Sequence, residues 1–306
     1  MRYIKSFAND AAIQASLDNK TLGKPYVALD DQLHRIDWNG KDSDYSKMYL
    51  TIEALESGTF YVKAANIGYS VNGGSWETTT GETALSLNQG DKVRFKGTAG
   101  GGRGLFAANT MAFNACGNIE SLAYGDDFIG KESGISCYNM FISCSGLTSA
   151  ENLILPATTL VDSCYFYMFY GCTSLTTAPA LPATTLAKKC YQGMFFDCTS
   201  LTTAPALPAT ELITDCYRQM FNNCTSLTTA PVLPAGRLVD DCYSYMFQNC
   251  SSLNYVKCLA TNPAMSMAGP LMLWLSGVSP TGTFVKKAGV NWRQQAIPSG
   301  WTVVEE

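Results

Sequence analysis

Twelve cysteines and one histidine, His34, set the chemistry open to this 306-residue chain. With a single imidazole, a multi-histidine metal site and an HExxH motif are excluded, and any Ser/His or Cys/His nucleophile pair would have to use His34. That residue lies in the alternating run Leu-His-Arg-Ile-Asp, which predicts a strand-surface or hydrogen-bonded histidine. No C-x-x-C pair occurs, so zinc has no knuckle to hold it. The acidic pairs Asp30-Asp31, Asp126-Asp127 and Asp240-Asp241 stand outside any D-x-D-x-D-G loop and read as solvated turns. The run Gly100-Gly-Gly-Arg-Gly lacks G-x-x-x-x-G-K-[ST] and predicts a hinge, not a phosphate cradle. No catalytic residue, metal site or cofactor is expected.

What the cysteines do follows from their spacing. Cys164, Cys190, Cys216 and Cys242 recur every 26 residues, as do Cys172, Cys198, Cys224 and Cys250. The unit C-Y-x-x-M-F-x-x-C-x-S-L-T-x-A-P-x-L-P-A-x-x-L-x-x-x runs in full from Cys164 to Asp241 and continues as CYSYMFQNCSSLNYVKC over 242–258. An irregular copy covers 137–163, where Cys137 has slipped into the tyrosine position, and a degenerate one is read at Phe113, Cys116 and Ile119. A fixed period of this length means a solenoid in which each unit completes its neighbour's core, and atypical end copies serve as caps.

The elements that carry the unit are read from periodicity. Cys190, Met194, Phe195, Cys198 and Leu201 fall at steps of 4, 1, 3 and 3, which predicts one apolar stripe on a helix of about three turns. Leu201, Ala204 and Ala206 have the spacing of a leucine-rich repeat's strand, which Pro205 should keep short and imperfect. Cysteines eight residues apart on such a helix would have Cα atoms about 12 Å apart, beyond disulfide reach, so the thiols are expected reduced and buried as small hydrophobes.

The pattern MFxxCxSLTxAPxLPA resembles the BspA-like leucine-rich repeats of surface proteins from gut and oral Bacteroidetes, over roughly 106–258. The tail, with Trp274-Leu-Ser-Gly-Val, Gly282-Thr-Phe-Val and Ile297-Pro-Ser-Gly-Trp301, resembles the ending that closes such arrays. The opening, with Phe7, Ile13 and then PYVALDDQLHRIDWNGKD, resembles the leader of some structural proteins of Bacteroidales phages. These resemblances imply adhesion or recognition without catalysis, at a virion surface or outside the cell.

Composition agrees with a non-enzymatic surface. Charged residues make up 15% and the net charge is −4, so no basic footprint exists for nucleic acid or anionic membrane. Residues 1–17 hold no apolar core of signal-peptide length and no apolar run reaches a bilayer's thickness, which predicts a chain neither Sec-exported nor membrane-inserted. Alternating runs in 46–97 (Leu50/Ile52, Phe60/Val62, Ile67/Tyr69/Val71, Leu85/Leu87, Val93/Phe95) predict a small antiparallel β-domain with a hairpin at Asn72-Gly73-Gly74.

The expected organisation is an attachment segment (1–45), the β-domain (46–97), a glycine hinge (98–105), the array (106–258) and a cap (259–306). Its fold class is an α/β leucine-rich-repeat solenoid behind a small all-β domain. The attachment segment is expected to contact a virion or sister chains, and a homo-oligomer is one outcome of that.

Within the unit, Thr176, Thr177 and Pro179 recur unchanged in each full copy, whereas the positions between the core residues vary: Phe166/Tyr167/Tyr170, Gln192/Gly193/Phe196, Arg218/Gln219/Asn222 and Ser244/Tyr245/Gln248. On a charge-poor surface, aromatic residues at varied positions are contact anchors for a host-surface protein or glycan, or for another copy of the chain. Tyr167, Tyr170, Phe196, Arg218 and Tyr245 are the expected binding residues.

Overall fold

The computed structural model describes residues 28–29, 35–36, 45–97, 101–263 and 269–306. His34, Asp30-Asp31, Gly100 and nearly all of the expected attachment segment lie outside these residues. From the segment, β1 (Ala28–Leu29) pairs antiparallel with β2 (Arg35–Ile36).

Each repeat is a run of linked β-turns and not the helix expected from the stripe. Gln192, Met194, Phe196 and Cys198 donate their amides to the carbonyl three residues back, while the alternate amides of Tyr191, Gly193, Phe195 and Asp197 cross to the carbonyls of Cys216, Arg218, Met220 and Asn222 in the next unit. A helix would consume every amide internally and leave none for its neighbour. Every fourth residue takes positive φ: Lys189 at 57°, Gly193 at 59° and Asp197 at 59°. The 4-1-3-3 spacing fits such a coil as well as a helix, and the stripe residues Cys190, Met194, Phe195, Cys198 and Leu201 are all fully buried. Among the described residues the one α-helix is α1 (Ser121–Tyr124), outside the repeats.

The coil stacks its side chains in rows. Phe141, Phe169, Phe195, Phe221 and Phe247 lie in a column with centroids 5.4–5.6 Å apart and planes within 7° of parallel. A second column runs Tyr165, Tyr191, Tyr217, Tyr243 and then Trp274. Offset-stacked pairs at these distances add to the burial of large apolar area that holds one coil on the next.

A parallel strand ladder runs beside the coils, and proline sets its width. β9 (Phe113–Asn118) pairs with β10 (Leu147–Ser149) and β11 (Leu153–Ile154), and at the other end β12 (Tyr255–Cys258), β13 (Gly282–Lys286) and β14 (Trp301–Glu305) form a three-stranded parallel sheet. Between them, where Pro179, Pro205 and Pro231 remove an amide, the ladder thins to single bridges such as Ser149–Thr177, Thr177–Thr203 and Thr229–Tyr255. Leu201 and Leu207 are buried here and Ala204 is half-buried against the core, but Ala206 is exposed, so one of the three expected inward positions is corrected.

The array starts earlier than its signature. Gly104, Phe106 and Ala108 donate to Tyr138, Met140 and Ile142, which makes residues 102–109 a coil with Asn109 in the cysteine position. The degenerate copy read at Phe113 and Cys116 is therefore the strand β9 that follows this coil, and Cys116 is half-exposed. Of the run expected as a hinge, residues 98–100 lie outside the described residues and 102–105 belong to the same coil: Gly102 is buried, and a Cβ on the preceding Gly101, at φ 106°, would collide with the Ser136 carbonyl.

The alternating runs of 46–97 form β3 (Leu50–Ala54), β4 (Gly58–Val62), β5 (Ala65–Val71), β6 (Glu77–Thr80), β7 (Thr83–Leu87) and β8 (Lys92–Lys96). The turn between β5 and β6 holds Asn72 at φ 50° and Gly73 at φ 76°. β3 pairs antiparallel with β8 on one side and with the array's β9 on the other, so one sheet, ordered β10-β9-β3-β8-β5-β6, carries both. Pairing of β4 with β7 places Phe60 against Phe106 and Phe113, at 5.4 and 5.1 Å, and closes that end of the array.

Candidate functional site

The varied positions lie along one side of the stacked coils, and the coil geometry decides how their side chains meet. Tyr167 takes φ 51°, and its ring lies across Gly193, the equivalent position one unit on, where any Cβ would collide with it. From there its hydroxyl reaches Gln219, two units on, donating to Oε1 at 3.3 Å. Around it, Phe166 meets the ring edge-on at 4.2 Å, Tyr170 at 5.3 Å and Phe196 at 6.5 Å, while Tyr170 and Phe196 stack at 5.0 Å and Tyr138 stacks on Phe166 at 5.0 Å. The Arg103 guanidinium sits 5.5 Å from the Tyr138 ring. These rings are all half-buried, leaving apolar edges at the surface.

Farther along, the face turns polar. Arg218 is held between Asp215 at 3.5 Å and Asp241 at 3.3 Å, with its guanidinium 5.4 Å from the Tyr245 ring. Amide and carboxylate groups pair across units, Asn222 with Gln248 at 3.0 Å and Asn223 with Asp197 at 2.7 Å. Tyr167, Tyr170 and Phe196 are thus brought together, whereas Arg218 and Tyr245 form a second, charged cluster. Four varied positions do not face solvent: Gln192, Gly193, Asn222 and Ser244 are buried. Burial raises the Tyr167 phenol above its ordinary range.

The cysteines have a role that their reading as small hydrophobes missed. Each second-position thiol donates to a phenylalanine carbonyl of the preceding unit: Cys172 to Phe141, Cys198 to Phe169 and Cys224 to Phe195, all at 3.1 Å, and Cys250 to Phe221 at 2.9 Å. In the first described coil, Asn109 donates from Nδ2 to the Phe106 carbonyl at 2.8 Å, beside the Cys144 thiol. All twelve cysteines are free, and all but Cys116 are buried. Burial pushes the thiols of Cys137, Cys144, Cys190, Cys242, Cys250 and Cys258 up to about 12, so they stay protonated and are poor nucleophiles. Among the described residues no group of three or more His, Cys, Asp or Glu is placed to hold a metal.

The remaining sequence candidates fall apart from this face. Asp126 binds Lys96 at 2.8 Å and accepts from the Tyr49 hydroxyl at 2.7 Å; these two partners hold its carboxyl below the usual range. Asp241 belongs to the Arg218 cluster and Asp240 is exposed. The uniform threonines Thr202, Thr203, Thr228 and Thr229 are exposed on another side, beside the strand ladder.

Residues 137–265 match the BspA type leucine rich repeat region, in six copies. This part of the chain is a BspA-type leucine-rich-repeat region. Coils at 102–109 and 271–277 extend the BspA-type array beyond the matched span at both ends. Repeats of this class serve protein or surface recognition and generally carry no catalysis. Comparison with curated proteins and with solved structures gives no match. No helix among the described residues is long and apolar enough to cross a membrane.

Proposed function

We propose that this BspA-like array is a non-enzymatic recognition protein whose varied face, centred on Tyr167, Tyr170 and Phe196, meets a protein or glycan of a host surface. The observation that carries this reading is the ring cluster itself: five half-buried aromatic side chains gathered at varied positions, over a glycine that admits the central one. Aromatic anchors of this kind supply large contact area for little lost side-chain freedom. Arg218 and Tyr245 extend the contact as a polar margin.

The protein is displayed on a virion, with residues 1–45 attaching it to the particle or to sister chains, and the array outward. The resemblance of the leader to phage structural proteins supports this placement. The second reading, an adhesin on a bacterial cell surface, rests on the repeat class alone. Immunogold labelling separates them: label on purified particles supports the first, and label confined to cell envelopes supports the second.

The binding role is tested by adhesion of the fluorescently labelled protein to intact host cells. The combined variant Tyr167→Ala/Tyr170→Ala/Phe196→Ala should lose most of that adhesion while keeping the wild-type circular dichroism. Undiminished adhesion would place recognition elsewhere on the chain.

A further inference from the structure

The hydrogen bonds that join the coils have a direction. In every step the alternate amides of one coil donate to the carbonyls of the next, down to Tyr243, Tyr245, Phe247 and Asn249 donating to Pro270, Met272, Trp274 and Ser276. The coil at 271–277 therefore carries the next row of donors, on Leu271, Leu273, Leu275 and Gly277, and these amides have no partner among the described residues. The loop that follows packs its aromatic residues on the tyrosine side. Trp292 stacks on Trp274 at 5.9 Å, and the Trp274 indole donates to the Ala296 carbonyl at 2.7 Å, which ends the tyrosine column. On the phenylalanine side Leu275 is buried, and beside it a groove of about 530 Å³ opens between Leu271–Ser276 and the segment Gln295–Pro298. Leu273 at its lip is 53% exposed.

We infer that this end of the array is a docking site for a peptide segment of another protein that takes up the repeat's own coil and offers backbone carbonyls at alternate residues. The occupant's chemistry follows from what is left open. A row of amides requires carbonyl acceptors at two-residue intervals, and the exposed Leu273 at the groove's lip requires an apolar side chain beside it. A second copy of this chain does not fit. Tail-to-tail contact would set donors against donors, and the opposite end of the array is occupied by Phe60 and by Tyr61, whose amide and carbonyl both bond the Asn109 side chain, at 2.7 and 2.9 Å. The partner is thus a different chain, adding one coil in trans as strand-adding peptides do at open sheet edges.

The test uses the full chain and a labelled peptide with the sequence of one whole unit, residues 216–241, whose carbonyls at Cys216, Arg218, Met220 and Asn222 accept such a row within the array. Saturable binding is expected, with slowed hydrogen exchange at the Leu273 and Leu275 amides. A peptide of reversed sequence should not bind, and the exposed substitution Leu273→Asp should weaken the unit peptide at least tenfold while leaving the melting curve unchanged. Lack of saturable binding, binding indifferent to Leu273→Asp, or exchange protection that falls on the Tyr167 face instead would each overturn the inference. The last result would leave the proposed recognition role standing.

Discussion

The thiol of Cys224 donates a hydrogen bond at 3.1 Å to the carbonyl of Phe195, 29 residues earlier in the chain. That carbonyl already accepts the amide of Cys198 at 3.2 Å, so both of its lone pairs are used, one within its own coil and one by the next. The same pairing recurs at Phe169 and Phe221, which makes the cysteine row a second seam between units alongside the backbone row. Cys224→Ala removes the donor and leaves a small void; it should cost about 1–3 kcal/mol in urea denaturation. Under native alkylation the eleven buried thiols should stay unlabelled until the chain unfolds, and labelling of Cys224 at the rate of a free thiol would refute the seam.

Alkaline pH should unfold the array. Burial raises the folded-state pKa of these thiols above the ordinary thiol value of 9.0, to about 12 for Cys190, Cys242 and Cys250. Above pH 9 the unfolded chain releases thiol protons that the folded chain retains, so the stabilisation is complete below pH 9 and is lost between about 9 and 12. Thermal melts should therefore be level from pH 7 to 8.5 and fall steadily from pH 9 to 11. A melting temperature that holds constant to pH 11 contradicts this account.

The aromatic face depends on one missing side chain. Gly193→Ala places a Cβ where the Tyr167 ring lies, at a backbone φ of 59° that itself disfavours alanine by about 1–2 kcal/mol. The variant should be destabilised by more than that backbone cost alone, and Tyr167→Ala in the same chain should recover part of the difference. A double-mutant cycle in denaturant reads the coupling, and additive losses would mean that the ring does not rest on Gly193.

In the phenylalanine column, Phe195 is fully buried between Phe169 and Phe221. Phe195→Ala should cost about 3–5 kcal/mol, whereas Thr202→Ala on the exposed uniform side should stay within about 0.5 kcal/mol. Equal losses at the two positions would show that the inward and outward sides have been exchanged.

The inward residues were legible in the sequence because apolar spacing reports burial whichever backbone carries it. Cys190, Met194, Phe195, Cys198 and Leu201 are all inside, although the helix inferred from them is a chain of turns. The signal that separates the two lies before each second cysteine, where Gly171, Asp197, Asn223 and Asn249 occupy a recurring positive-φ position, from 59° to 70°. Glycine, aspartate and asparagine at a fixed place in every unit are residues suited to left-handed backbone and poorly suited to a helix interior. Asn109 hid the first coil because it replaces the cysteine of the signature while still reaching the Phe106 carbonyl. The varied positions do fall along one side of the coil, the side of the proposed site, but spacing alone had no means of laying Tyr167 across the next unit or of burying Gln192 and Asn222.

The contact that joins fold to function is Tyr167 on Gly193, since it exists only if turn coils stack unit on unit and it forms the centre of the proposed recognition face. Solution NMR of the full chain with labelled glycine and tyrosine measures it directly. The account expects ring-current-shifted α protons at Gly193 with cross-peaks to the Tyr167 ring, both abolished by Tyr167→Leu. Gly193 protons at ordinary shifts, with cross-peaks only to neighbours in their own unit, would contradict the stacked-coil arrangement and the recognition face built on it.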